Sequence, residues 1–213
     1  MKHLAKSLLL ATAACAAVPA HAQLAFGQMD TGLYLGGSAG WSRADVDRPV
    51  LPAGFTTNTF DTDETEAGFK LFGGYRFTRN LAVEAGYANL GKFGFNGTAT
   101  PASTFSSSFK VDGWFVDAVV MVPLQHGFTL LGRVGAYFNE LKTSPGATGA
   151  LTAGPGRKET DTTLKVGLGA QYDFTPTLAL RAEWDHFRKV GDPANTGESN
   201  INLLSLGMLV KFH

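Results

Sequence analysis

The stretch GFKLFGGYRFTRNLAVEAGYANLG, residues 68–91, decides the fold. It consists of two alternating runs joined by the polar tripeptide Thr78-Arg79-Asn80. In the first run Phe69, Leu71 and Tyr75 share one face with the preceding Ala67, while Lys70 and Arg76 share the other. In the second, Leu81, Val83, Ala85 and Tyr87 oppose Glu84. A period of two is the mark of a strand with two unlike faces, because successive side chains leave the backbone on opposite sides. The tripeptide is the length of a tight turn, so the stretch reads as a hairpin with one apolar and one charged face.

Outward from this hairpin the alternation recurs in eight stretches, approximately 31–43, 66–77, 81–90, 109–122, 128–141, 161–174, 178–187 and 201–212. Short joints at 78–80, 123–127 and 175–177 interleave with long polar ones at 44–65, 91–108, 142–160 and 188–200, rich in Gly, Ser, Thr, Pro and Asp. Joints that are short at one end and long at the other suit an eight-stranded antiparallel up-and-down transmembrane β-barrel, with short periplasmic turns and longer external loops. The even count puts both termini on the short-turn side.

Across the remaining stretches the apolar face collects Leu33, Leu35, Trp41, Trp114, Val116, Val120, Leu130, Val134, Leu164, Leu168, Leu180, Trp184, Leu204 and Leu206. It carries no charge midway, where one would cost about 2–4 kcal/mol at a bilayer midplane. The opposite face holds Lys70, Arg76, Glu84, Asp117, Arg133, Lys165, Asp173, Arg181, Glu183, Asp185 and Lys211. Aromatic residues cluster at strand ends. Tyr75, Phe77, Phe128, Tyr172, Phe174 and Phe212 lie near the short turns, and Trp41, Tyr87, Trp114, Phe138 and Trp184 toward the long joints. A soluble sandwich would scatter its aromatics along the apolar face, whereas a membrane barrel gathers them into two interfacial girdles.

Composition agrees. All 26 glycines of the 213-residue chain follow residue 22, and they have no collagen period. That abundance disfavours helices, where an interior glycine costs about 1 kcal/mol. Met1–Ala22 reads as a secretory signal, with Lys2 and Lys6 in the positive region, Ser7–Val18 apolar, and Ala20-His21-Ala22 before a cleavage at Ala22–Gln23. The one cysteine, Cys15, would leave with it. No later stretch reaches the ~20 apolar residues of a spanning helix. The barrel domain is then 23–213, slightly acidic, with no electrostatic case for nucleic-acid binding.

The hairpin at 68–91 resembles the OmpA transmembrane-domain family, and the resemblance returns at Val111–Trp114, Val122–Leu124, Gly169–Trp184 and Leu203–Phe212. It covers nearly all the strands and few of the long joints. It implies a barrel in the outer membrane of a Gram-negative bacterium, surrounded by lipid and lipopolysaccharide and inserted as a monomer by the barrel-assembly machinery. That machinery reads an aromatic residue at the chain's end; here Phe212 is followed by His213. Longer relatives carry a peptidoglycan-binding domain after the barrel, and the resemblance here ends with the barrel, so cell-wall anchoring is not expected. In the family a Glu–Arg pair blocks the lumen and exchanges partners to open it. Glu84 and Arg181 match that pair, while the alternative partners, a Lys and a Glu, match Val119 and Gln171. The resemblance therefore implies a plug without its switch.

Independently of the resemblance, so narrow a barrel is filled by its own side chains, and its interior charges must pair. The expected lumen network is Glu84 with Arg181, supported by Arg133 with Asp117 or Glu183, and including Lys70. Inward glycines would leave those chains room. No catalytic or metal site is expected. Neither His126 nor His186 has a serine two residues on, Asp185-His186 reads as an interfacial pair, and no cysteine–histidine cluster is present. Asp61–Glu64 reads as a solvated acidic loop. Two functions remain: a structural barrel that conducts weakly at most, or an adhesin acting through the long joints, with Phe55, Phe60, Phe93, Phe95 and Phe105 as apolar anchors.

Overall fold

A computed structural model describes residues 31–45, 56–100, 102–149, 156–190 and 199–212. The signal segment with its Ala22–Gln23 junction, the Phe55 anchor and His213 lie outside the described residues. Nine strands are present among them: β1 (Gly32–Ala44), β2 (Thr56–Asp63), β3 (Thr65–Thr78), β4 (Leu81–Thr100), β5 (Ser103–Pro123), β6 (Phe128–Gly149), β7 (Arg157–Asp173), β8 (Leu178–Val190) and β9 (Ser199–Phe212). Pairing runs β1, β3, β4, β5, β6, β7, β8, β9 and back to β1, antiparallel throughout, so the sheet closes into a ring. β2 continues the path of β3 past Glu64 and pairs with the outer part of β4, so nine strands make eight staves.

Three of the long joints differ from expectation. Within 44–65, residues 56–63 form β2, so Asp61 and Asp63 stand on a strand paired with β4 rather than in a loop. Most of 91–108 is β-hairpin, with β4 and β5 in register out to Ala99 and Ser103. β6 likewise runs to Gly149, and β7 begins at Arg157 opposite Thr143. Beyond the membrane the outer face of a strand meets water instead of lipid, so the apolar alternation that marks a strand fades while the backbone still gains from ladder hydrogen bonds.

Gly91 explains a second difference. Its φ of +100° and the register shift between Asn89 and Gly91 form a β-bulge in β4, with Asn89 Oδ1 accepting from the Gly91 N–H at 3.0 Å. The extra residue reverses the facing of the outer part of β4. Lys92 turns outward and Phe93 turns into the barrel, fully buried against Phe109 at 5.4 Å. Phe105 is buried too, so two of the five anchor candidates are packing residues. Phe95 is half-buried, and the Phe60 side chain lies outside the described residues.

The barrel is inverted relative to a soluble one. Trp41, Trp114 and Leu168 are 69%, 65% and 62% exposed, while Lys70, Glu84, Lys165 and Asp185 are 0% exposed. Both girdles lie on the outer face. Phe128–Tyr172 meet tilted at 4.8 Å and Tyr172–Phe174 edge to face at 5.0 Å near the short turns, and Tyr87–Trp114 meet edge to face at 5.4 Å toward the long hairpins. Tyr75, Phe212 and Trp184 are exposed there as well.

Candidate functional site in the barrel lumen

Large inward side chains stand opposite inward glycines. Tyr34 faces Gly74, Phe72 faces Gly36, Phe115 faces Gly86, Asp117 faces Gly135, Asp185 faces Gly167, and Arg181 faces Gly207. The spaces are used: a Cβ on Gly74 would stand 2.3 Å from Tyr34 Cζ, and one on Gly135 would stand 2.2 Å from Asp117 Oδ1. The glycine excess therefore works as lumen volume.

Into that volume fold four cations and four carboxylates. Arg181 Nη1 donates to Glu84 Oε1 at 2.5 Å, and Tyr34 Oη donates to the same oxygen at 2.7 Å. Arg133 sits among all four acids. It bonds Glu183 closely, and it lies 3.3 Å from Glu84 Oε2 and 3.7 Å from both Asp117 and Asp185. Lys70 Nζ reaches Glu183 at 2.5 Å and also bonds Asp185. Lys165 Nζ lies 2.5 Å from Asp117 and 3.5 Å from Asp185, with the Phe115 ring 4.0 Å away. Removing one such ion from water costs several kcal/mol even after relaxation. Four cations against four carboxylates with shared partners is the arrangement that limits this cost.

The six residues expected in the network are thus brought together, and Arg133 touches both acids proposed for it. Lys165 and Asp185 were legible as inward-facing but not as members. Asp185-His186 is not an interfacial pair. Asp185 is wholly internal, and His186 Nδ1, on the outer face, meets Asn202 Oδ1 at 2.8 Å. Adjacent residues of one strand point to opposite faces.

Gln171 and Tyr34 were missed as network members. Gln171 Oε1 accepts from Arg181 Nε at 3.2 Å and Nη2 at 3.0 Å, and its amide donates to Asp173 Oδ1 at 2.7 Å. Asp173 in turn holds Lys211 at 2.6 Å. This chain of contacts ends in a cavity of about 200 Å³ at the short-turn mouth, lined by Tyr34, Arg76, Asp173, Arg181 and Lys211. Toward the long hairpins the polar layer is covered by Tyr137 and Phe187, edge to face at 4.8 Å, and by buried Leu90, Phe93, Val111, Leu141 and Ile201. Tyr34 carried a sequence signal, an inward aromatic on the first strand, but its partner Glu84 lies 50 residues away.

A closed ring that is apolar outside, girdled by aromatics at both ends and charged within is an outer-membrane β-barrel. Solved barrels share the fold: Neisserial surface protein A (TM-score 0.53, 18% identity, 85% of this chain and 97% of that one) and the outer membrane protein OprG of Pseudomonas aeruginosa (0.52, 12%, 88% and 98%). The outer membrane protease OmpT of Escherichia coli matches similarly (0.51, 13%, 87% and 98%), so the architecture alone does not specify an activity. The chain belongs to the OmpA-like transmembrane domain family, whose model matches residues 28–213, and it is an outer-membrane protein. It is 28% identical to Outer membrane protein A of Shigella flexneri over 86% of its own length, and 26% identical to that of Serratia marcescens over its whole length. It spans about half the length of these relatives, 49% and 56% respectively.

Proposed function

We propose that this chain is a structural outer-membrane barrel whose lumen is held shut by the Glu84–Arg181 pair and the ion pairs around Arg133, and which conducts small solutes weakly at most. The observation that carries the reading is that Arg181 is fastened on two sides, by Glu84 and by Gln171. For Arg181 to swing aside, both contacts must break together. Val119 fills the place where the family pattern offers Glu84 a lysine; its other partners among the described residues are Tyr34 and Arg133. Insertion by the barrel-assembly machinery, as a monomer, belongs to the same reading. Planar-bilayer recording of refolded protein tests it: wild type opens rarely, and Glu84→Ala conducts measurably more. A Glu84→Ala trace no different from wild type defeats the plug.

A second reading places the function in the outer hairpins. It is favoured by an exposed row of threonines, Thr59, Thr98, Thr104 and Thr148, in register across β2, β4, β5 and β6. Shortening these hairpins separates the two, because an adhesin would lose surface binding with its conductance unchanged.

A further inference from the structure

We propose that the outer surface of the barrel carries a phosphate-binding ladder, made by Lys92, Lys110, Lys142 and Lys158, for the phosphorylated glycolipid of the outer leaflet. The inference rests on the outer-membrane location and not on the plug. Register places Lys92 opposite Lys110, Lys110 opposite Lys142, and Lys142 opposite Lys158. All four are exposed on the outer face. At the usual strand spacing they form one row about 14 Å long across the four strands.

Like charges directly opposite one another destabilise a sheet. Here three such pairs stand in succession. The next rung toward the membrane supplies two carboxylates. Asp112 lies 3.6 Å from Lys110, and Glu140 bridges Lys142 and Lys158 at 2.7 and 2.8 Å. Four lysines stand against two acids on that rung, and Lys92 has no ion pair among the described residues, the next acidic residue outward being Asp63 opposite Gly94. The row also depends on the Gly91 bulge, without which Lys92 would face the lumen.

Position selects the occupant. Below the carboxylates comes the aromatic rung Tyr87, Trp114 and Phe138, which marks the edge of the hydrocarbon. The lysines lie about 13 Å further along β5, at headgroup depth. Lysine is a point charge on a flexible apolar stem, suited to reaching headgroup phosphates from a barrel wall. A glycolipid with more than one phosphate spans several lysines of the row.

The test measures retention, by native mass spectrometry of refolded protein in detergent, of lipid A bearing both phosphates and of the same lipid dephosphorylated. The variants are Lys92→Gln/Lys110→Gln/Lys142→Gln/Lys158→Gln and, as a control in a short turn, Arg79→Gln. Wild type and control should keep the phosphorylated lipid, the fourfold variant should keep about tenfold less, and all three should hold the dephosphorylated lipid equally weakly. Heat-dependent gel mobility reports folding. Should the fourfold variant not fold, Lys92→Gln/Lys110→Gln and Lys142→Gln/Lys158→Gln are read separately, each expected to lose about threefold. Equal retention of the two lipids by wild type, or undiminished retention by the variants, overturns the proposal. So does a variant that loses binding of a sulfated polysaccharide while keeping the phosphorylated lipid.

Discussion

Gln171 takes both Nε and Nη2 of Arg181 on its one carbonyl oxygen, at 3.2 and 3.0 Å, while Glu84 takes Nη1 from the other side. An amide holds the guanidinium without competing for its charge, so the ion pair with Glu84 stays dominant. Replacing the amide by a carboxylate and offering Glu84 a lysine should convert the clamp into a two-position switch. Gln171→Glu/Val119→Lys is therefore expected to raise the open probability in planar bilayers about tenfold, the change that ~1.4 kcal/mol produces. An open probability equal to wild type would show that the clamp does not limit conduction.

Arg133 is the common neighbour of Glu84, Asp117, Glu183 and Asp185, which come from β4, β5 and β8. Arg133→Ala leaves an excess of buried carboxylate, a loss of about 3–5 kcal/mol for a broken buried pair. Urea unfolding of the refolded barrel should shift its midpoint accordingly.

Gly135 and Gly132 stand three residues apart on β6 and should behave oppositely. A Cβ on Gly135 meets the Val116 carbonyl oxygen at 2.1 Å and Asp117 Oδ1 at 2.2 Å, whereas one on outward-facing Gly132 meets nothing within 4 Å. Gly135→Ala should cost about 1–3 kcal/mol through overpacking. Gly132→Ala should be neutral or gain about 0.4–1 kcal/mol by restricting the unfolded chain. The temperature at which each barrel loses its fast gel mobility compares them directly.

Beyond the outer girdle, the hydrogen bond from Lys142, and then that from Lys158, holds the Glu140 carboxyl below the usual glutamate range. A depressed value in the folded state means the two ties are complete above the ordinary glutamate pKa and are lost as pH falls through the lowered one. Following the Glu140 carboxyl carbon by NMR should show Lys142→Gln moving this titration upward, and Lys158→Gln moving it upward by less.

The hairpin at 68–91 disclosed the barrel because its alternation is intrinsic. Phe69 and Lys70 must face opposite ways in any strand, and no partner is needed to know it. Loop lengths were less legible, since beyond the membrane Ser103–Ser108 is extended without an apolar face to mark it. Phe93 reads as a loop anchor for want of one signal, the left-handed Gly91, whose bulge reverses the facing of the rest of β4 and turns Phe93 inward.

By itself, then, the sequence determined that these strands close around a charged interior with an apolar exterior, because side-chain alternation and the cost of charge in hydrocarbon act locally. Only the tertiary structure decided which charge meets which. Arg133 gathers acids from three staves, Gln171 rather than a carboxylate steadies Arg181, and four lysines scattered between residues 92 and 158 become one row. Those partners are set by register between strands and by contacts across the closed ring, with one bulge fixing the phase of β4, and no single strand encodes them.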